Sequence, residues 1–426
     1  MSIAQETYQP TAAADGLRIS TRTLGNLALG IIVFLSGFVF FEPAPYELLL
    51  VPLLVIWFAF GLTLHRAFLP LTFFMFCFIC GGAIAVTQKA DVADGFFYVI
   101  VTGFLATTSI FFAAVVADNP LQRVRVIFKA YCFTAIIGAL IGILAYFHLI
   151  PDSESYLFGG RARGPFQDPN VYGPFLALPA LLMFRNILVK PLAKNFWNLL
   201  GLFIILSAIF LAFSRAAWGL TVFTIAMMTL IVFISANDHR LRSKIIIASI
   251  LMAALAVGFL LVALSIDAIA SLFKERAQLV QSYDSGHHGR FARYGFAIQW
   301  IMEGPLGYGF GKSRSAFGED THNIYIKAFL VYGWLGGIAY LLLFFTTVAT
   351  GFKHLFKETP WQGYFQCCYV AIIGHALVGL VVDIDRWRHL YMIYGVFWGM
   401  IAATTILKHR QKATQTANGA ANRRLG

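Results

Sequence analysis

An all-α, polytopic membrane protein of about twelve transmembrane helices is the fold class this sequence predicts, with a long, partly helical loop between the ninth and tenth helices on the non-cytoplasmic side. Three observations predict it. Hydrophobic residues make up 59% of the 426 residues and charged residues only 12%, whereas soluble domains carry roughly 25% charge; so little charge does not cover a globular surface in water. Apolar runs of spanning length, about 20 residues each, recur from end to end. Lys and Arg gather in alternate connections between those runs, the asymmetry that orients membrane spans. Helices are the reading that suits lipid, which offers no partner to open backbone groups, and the runs are too long for barrel strands.

The runs fall at 24–41, 47–64, 67–87, 95–117, 127–150, 171–188, 196–213, 216–236, 245–266, 323–350, 363–382 and 390–407. Residues 1–23 are polar and mixed, with Gln5, Glu6, Asp15 and Arg18. No short apolar run with a small-residue cleavage site follows, so the first span reads as a retained anchor. With that tail in the cytoplasm, the inner connections hold Arg66, Arg123, Arg125, Arg185, Lys190, Lys194, Arg240, Arg242, Lys244, Lys353, Lys357 and Lys408, while most acidic residues fall outside. The chain then divides into a cytoplasmic tail (1–23), spans one to nine (24–266), a large outer loop (267–322), spans ten to twelve (323–407) and a second cytoplasmic tail (408–426). An outer loop this long without structure would be unusual. Its stretch 290–303 is patterned as an amphipathic helix, so the loop is expected to fold over the membrane face. The net charge of +12 is explained by membrane sidedness, and no nucleic-acid partner is read from it. No internal repeat is evident.

Polar chemistry gathers in four outer segments: 151–170, the tight turn 213–218, the long loop, and 383–389. Arg215 sits where one span ends and the next begins. It reads either as an anchor with its head in the interface or as a phosphate clamp, because guanidinium grips phosphate oxygens in pairs. The positive-inside rule gives no reason for an outer arginine. Arg290 and Arg293 share one helix face at i, i+3; they read either as a solvated basic face or, with Arg215, as a diphosphate site. His322, at the water boundary before the tenth span, titrates in a range that suits proton transfer near neutrality, although a lone histidine at a helix end is more often structural. His375, mid-span, is most simply a packing residue with a hydrogen bond.

Two further patterns are set aside. Cys77 and Cys80 have redox spacing, but no histidine or second cysteine pair lies near, and like Cys132, Cys367 and Cys368 they fall in apolar runs as buried, unreactive thiols. Gly304–Ser313 hints at a phosphate-binding loop, yet Leu306 stands where that pattern needs glycine, so the stretch reads as a bending loop. His287 and His288 lack a ligand pattern, and no metal is expected.

In order along the chain, these residues resemble the O-antigen ligase and O-antigen/exopolysaccharide polymerase family of bacterial membrane glycosyltransferases. The resemblance rests on Gly164-Pro-Phe-Gln-Asp-Pro-Asn170, Phe213-Ser-Arg-Ala-Ala-Trp218, Gly289-Arg-Phe-Ala-Arg-Tyr294 with Pro305-Leu-Gly-Tyr-Gly-Phe-Gly311, and Thr321-His-Asn-Ile-Tyr325 with Gly333-Trp-Leu-Gly336. It implies a donor glycan on undecaprenyl pyrophosphate in the periplasmic leaflet of the inner membrane. It also implies transfer to a sugar hydroxyl, on a glycan or on lipid A core, without nucleotide sugar, metal or other cofactor. Carried over, Arg215 and Arg290 match the family's pyrophosphate-binding arginines and His322 its essential histidine. Arg293 is an additional candidate, and Arg161, Arg163, Asp168 and Asn170 form a candidate substrate loop. Many relatives carry an acid shortly before the glycine that is Gly333 here; Val331 and Tyr332 stand in its place, leaving Glu319 and Asp320 as possible acidic partners of the histidine. Polymerase and ligase are not separated by these motifs. A transporter or flippase without bond-making, and a scaffold, are the rival readings. Few charges within the spans, polar groups at one face and the lack of a repeat speak against a transporter.

Overall fold

A computed structural model describes residues 21–59, 61–88, 92–278 and 289–425. Nine helices come first: α1 (Thr21–Leu35), α2 (Pro45–Ala59), α3 (Leu69–Val86), α4 (Val92–Asp118), α5 (Pro120–Tyr146), α6 (Pro169–Val189), α7 (Phe196–Leu211), α8 (Arg215–Ser235) and α9 (His239–Ala263). Three shorter ones occupy the long loop: α10 (Asp267–Arg276), α11 (Arg290–Glu303) and α12 (Lys312–Phe317). α13 (Ile324–Phe352), α14 (Gln362–Val378) and α15 (Arg388–Leu425) follow. Between α5 and α6, β1 (Leu157–Phe158) pairs antiparallel with β2 (Arg161–Ala162). The protein is thus mostly helical, and each run expected to span lies on a helix. Among the described residues, eight helices are long and apolar enough to cross a membrane by length and composition; α1, α2 and α7 are shorter apolar helices, and α14 has 17 residues.

Burial separates centre from shell. In its apolar window, 83% of α15 is buried within the bundle and 78% of α6, against 6% of α9. α9 turns Ile246, Ile247, Ile250, Leu251, Leu255 and Leu261 outward, an apolar face too large for water and ordinary against acyl chains. Lipid supplies no hydrophobic drive between helices, so close packing and hydrogen bonds hold the centre. Small residues sit at both main crossings. A Cβ on Gly81 of α3 would come within 2.6 Å of Gly336 N on α13, and one on Gly399 of α15 within 2.6 Å of Ala113 O on α4. Buried polar groups are paired across helices: Tyr131 Oη donates to Phe175 O at 2.9 Å, Trp398 Nε1 to Thr347 Oγ1 at 3.1 Å and Ser109 Oγ to Tyr391 O at 2.7 Å.

Hydrogen bonds between connections sort them into two ends. At one, Lys244 Nζ donates to Lys190 O, Arg185 Nε to Gln366 Oε1 at 3.1 Å and Gln366 Nε2 to Leu355 O at 3.3 Å; these are the connections rich in Lys and Arg. At the other, Val39 N donates to Pro165 O at 2.7 Å, Arg388 pairs with Glu42 and Glu47, and Ile324 N donates to Gly379 O at 2.8 Å. The candidate site is built at this second end. There α13 breaks its helical backbone at Gly333, with φ +66 and ψ −176. The Gly304–Gly311 loop seats itself in the break, through Trp334 N to Pro305 O at 2.9 Å and Tyr308 N to Leu330 O at 2.8 Å.

Candidate functional site

The turn between α7 and α8 is made by Phe213, buried and at φ +44, and closed by Ser214, which caps α8 through Ala217 N. Arg215 is therefore the first residue of α8, at the positive end of its dipole, where anions are favoured. It is partly exposed, and its Nη1 donates to Gln278 O at 2.7 Å, which ties the turn to the segment after α10. Trp218 anchors the same turn. Its indole stacks on Phe210, lies tilted against Phe273 and donates to Ile209 O at 3.1 Å.

The 151–170 loop packs onto this turn. Arg161 is buried; its Nε donates to Ala212 O at 2.9 Å and its Nη2 to Asn170 Oδ1 at 3.1 Å. Ser214 Oγ donates to the same Asn170 oxygen at 2.8 Å. Asp168 caps α6 by accepting from Asn170 N at 2.7 Å, and Arg163 donates to Gln167 O at 3.0 Å and Ser155 O at 3.1 Å. All four residues expected in a substrate loop thus bond within the loop or to the turn that carries Arg215.

His322 stands on the other side of the long loop. Its backbone is at φ +51, a left-handed conformation uncommon for any residue but glycine. Both flanks fix it. Asn323 caps α13 through Tyr325 N and Ile326 N and donates Nδ2 to Leu380 O at 3.0 Å. On the other flank, Asp320 is held by Arg314 at 3.4 Å and Lys327 at 3.9 Å. The imidazole is 39% exposed, with Nε2 at 3.9 Å from Glu319 Oε2, beyond direct hydrogen-bond reach. Arg293, on α11 and almost fully buried, pairs with that same Glu319 oxygen at 2.8 Å. Arg290 begins α11; its side chain lies outside the described residues, as do His287 and His288. The structure brings Arg293, Glu319 and His322 into one cluster and places Arg215 with the 151–170 loop in another.

A third cluster is one that reading the sequence missed. Lys327, one turn into α13 and 7% exposed, faces Asp385 at 3.4 Å, Asp383 at 3.5 Å and Asp320 at 3.9 Å. Asp385, buried, also accepts from the Tyr98 hydroxyl and from Tyr332 Oη at 3.2 Å. Burial raises the Asp383 carboxyl above the usual carboxylate range, Asp385 and Asp320 adding to the rise and Lys327 and His322 opposing it. The available signal was a lysine inside an apolar run together with Asp383-x-Asp385 in a connection already marked as polar. His375 is fully buried, with Nδ1 at 2.7 Å from Ala371 O and Nε2 at 3.3 Å from His389 Nε2. The five cysteines are free thiols. Among the described residues no cluster of three or more His, Cys, Asp or Glu side chains is arranged to hold a metal ion.

A partly exposed imidazole beside a carboxylate can take a proton from a hydroxyl, and an arginine at a helix start can hold an anionic group. No curated protein matches the chain. A family model described as O-antigen ligase matches residues 200–341, a third of the chain, from α7 into α13. The matched stretch contains Arg215, Arg290, Arg293, Glu319, His322 and Lys327 and stops short of Asp383 and Asp385. Over this segment the chain is similar to the O-antigen ligase family, and its long apolar helices are those of a membrane-embedded protein.

Proposed function

We propose that this protein transfers a glycan from undecaprenyl pyrophosphate to a sugar hydroxyl at the periplasmic face of a bacterial inner membrane, in O-antigen or exopolysaccharide synthesis. The observation that carries this reading is His322, partly exposed, fixed on a left-handed turn beside Glu319, and inside the family-matched segment. In the proposed topology α1 to α9 and α13 to α15 cross the membrane, α10 to α12 lie outside, and both termini are cytoplasmic. The Lys- and Arg-rich connections that bond to one another at the far end of the bundle support that orientation.

The reaction is a displacement at the anomeric carbon. His322 accepts the acceptor hydroxyl proton as the oxygen attacks C1, helped by Glu319, which stabilises the imidazolium. The bond from C1 to the pyrophosphate oxygen breaks, and undecaprenyl pyrophosphate leaves. Arg215 and Arg290 hold the pyrophosphate and offset its growing charge, usually the largest catalytic contribution. Arg293 keeps Glu319 in register through Nη1, and its remaining donors stay candidates for phosphate oxygen. The donor bond already stores the driving force, so no ATP is needed. Membrane lipid forms the path for the prenyl tail.

The test is purified protein in lipid with a glycan on undecaprenyl pyrophosphate and no other acceptor. Growth of longer lipid-linked chains identifies a polymerase. Product only after lipid A core is added identifies a ligase. Arg215→Ala and His322→Ala are expected to lose at least about 100-fold in rate at normal protein levels. Near-normal turnover in both variants overturns the mechanism. Donor crossing the membrane without bond formation favours a flippase.

A further inference from the structure

We propose that Lys327 is a positioning residue for the reaction: from inside α13 it ties Asp320, Asp383 and Asp385 together, so that His322 is held in place and its carboxylate surroundings are neutralised. The inference rests on His322 acting as the base and adds a residue that touches neither donor nor acceptor.

The geometry is specific. Lys327 follows His322 by little more than one helical turn, and its ammonium lies between two chain segments. Asp320 comes from the end of the long loop, while Asp383 and Asp385 come from the connection between α14 and α15, all three within 4.0 Å. Each buried charge needs a partner, and here one ammonium serves three carboxylates from two chain segments. The aromatic rings of Tyr98 and Phe310 lie 5.5 and 5.8 Å from the ammonium and wall it on that side. His322 adjoins this network: Asp320 is two residues before it, and Asp383 is close enough to sense its charge. Glu319, held by Arg293 from α11, faces the imidazole; Asp320, held by Arg314 from α12, precedes it in the chain, and Asp383 senses its charge; Asp385, Arg386 and Lys327 adjoin these groups. Lys327 is the cation shared by three of the carboxylates. Without it, Asp320 loses one of its two ties and the left-handed turn loses part of its support. The uncompensated carboxylates then favour a protonated His322, which cannot act as a base.

Two readouts test this. The first is the rate of diethylpyrocarbonate modification of His322 against pH, followed by peptide mass spectrometry. It reports the neutral imidazole whether or not the protein turns over, so failure of this inference and failure of the proposed reaction are distinguishable. Lys327→Met is expected to move the midpoint up by roughly half a pH unit. Lys327→Gln with Asp383→Asn, which removes one cation and one carboxylate together, is expected to return it towards wild type. The second readout is transfer rate. Lys327→Met should lose about ten-fold or more in kcat with donor KM within about two-fold, its acid limb moving upward with the midpoint. If Lys327→Met does not fold, the Lys327→Gln, Asp383→Asn pair and Lys327→Arg are measured instead, and a wild-type midpoint in both is the expected result. An unmoved midpoint in a folded Lys327→Met protein overturns the inference, as does a displaced midpoint that the paired substitution fails to restore.

Discussion

At the scale of single residues, the end of the bundle that carries His322 concentrates features a purely structural protein avoids. A histidine in left-handed backbone, a lysine buried among carboxylates and a buried Asp383 each cost folding free energy. Asp383 allows that cost to be measured. Burial raises its carboxyl, so the folded state binds a proton more tightly than the unfolded chain does. Stability is therefore highest below the ordinary carboxylate range, about pH 4, falls as pH rises through the raised value, and stays lower above it. Asp383→Asn removes the ionisation. The variant is expected to melt at or above the wild-type temperature at pH 7, with the gap closing as pH falls towards 4. Tryptophan fluorescence during heating in detergent reads this directly. A variant that melts several degrees lower at pH 7 would mean that attraction to Lys327 outweighs the burial cost.

At the scale of elements, the sequence was legible wherever the signal was local. The amphipathic stretch 290–303 is α11, and the twelve apolar runs lie on helices. Ends were less legible. The first run was expected to reach 41 and its helix stops at Leu35; the eleventh was expected to reach 382 and stops at Val378. In both places the chain remains apolar but turns to bond another segment, as Val39 N does with Pro165 O. Several motif residues proved to be fasteners: Asp168 and Ser214 cap helices, and Trp218 wedges a turn. The Lys327 cluster was illegible because its partners lie more than 50 residues away in Asp383 and Asp385, and a lone lysine in an apolar run reveals a cost without naming what offsets it. The glycine-rich loop was readable as a bend but not as a seat. Gly333 shows what that seat demands. Its φ is +66, and a Cβ there would lie 2.6 Å from Leu306 O. Gly333→Ala is expected to destabilise the protein by about 1–3 kcal/mol and to lower activity by shifting α11, which carries Arg293, against α13. Thermal unfolding and transfer rate measured on the same preparation check it, and a wild-type value for both would show that the loop yields freely.

At the scale of the whole molecule, the question is which water the site faces. A bundle of this kind has two ends, and the bonds between connections place 151–168, 212–215, 319–323 and 379–388 at one of them and 185–194, 235–244 and 353–366 at the other. In the proposed topology the second of these ends, rich in Lys and Arg, is the cytoplasmic one. One labelling experiment reads that orientation. Ser155 and Lys194 are both exposed, on opposite ends, while the native Cys367 and Cys368 are buried and Cys77, Cys80 and Cys132 lie within helices, so background labelling stays low. Ser155→Cys is expected to react with a membrane-impermeant maleimide in intact spheroplasts, and Lys194→Cys only after permeabilisation. The reverse pattern would put His322 on the cytoplasmic side, and the proposed periplasmic reaction would fail on topology alone. The expected pattern does more than orient a bundle. It would place the end that carries His322, Glu319 and Arg215 in a compartment without ATP, which is where the proposed transferase, drawing its energy from the donor's own pyrophosphate bond, has reason to work.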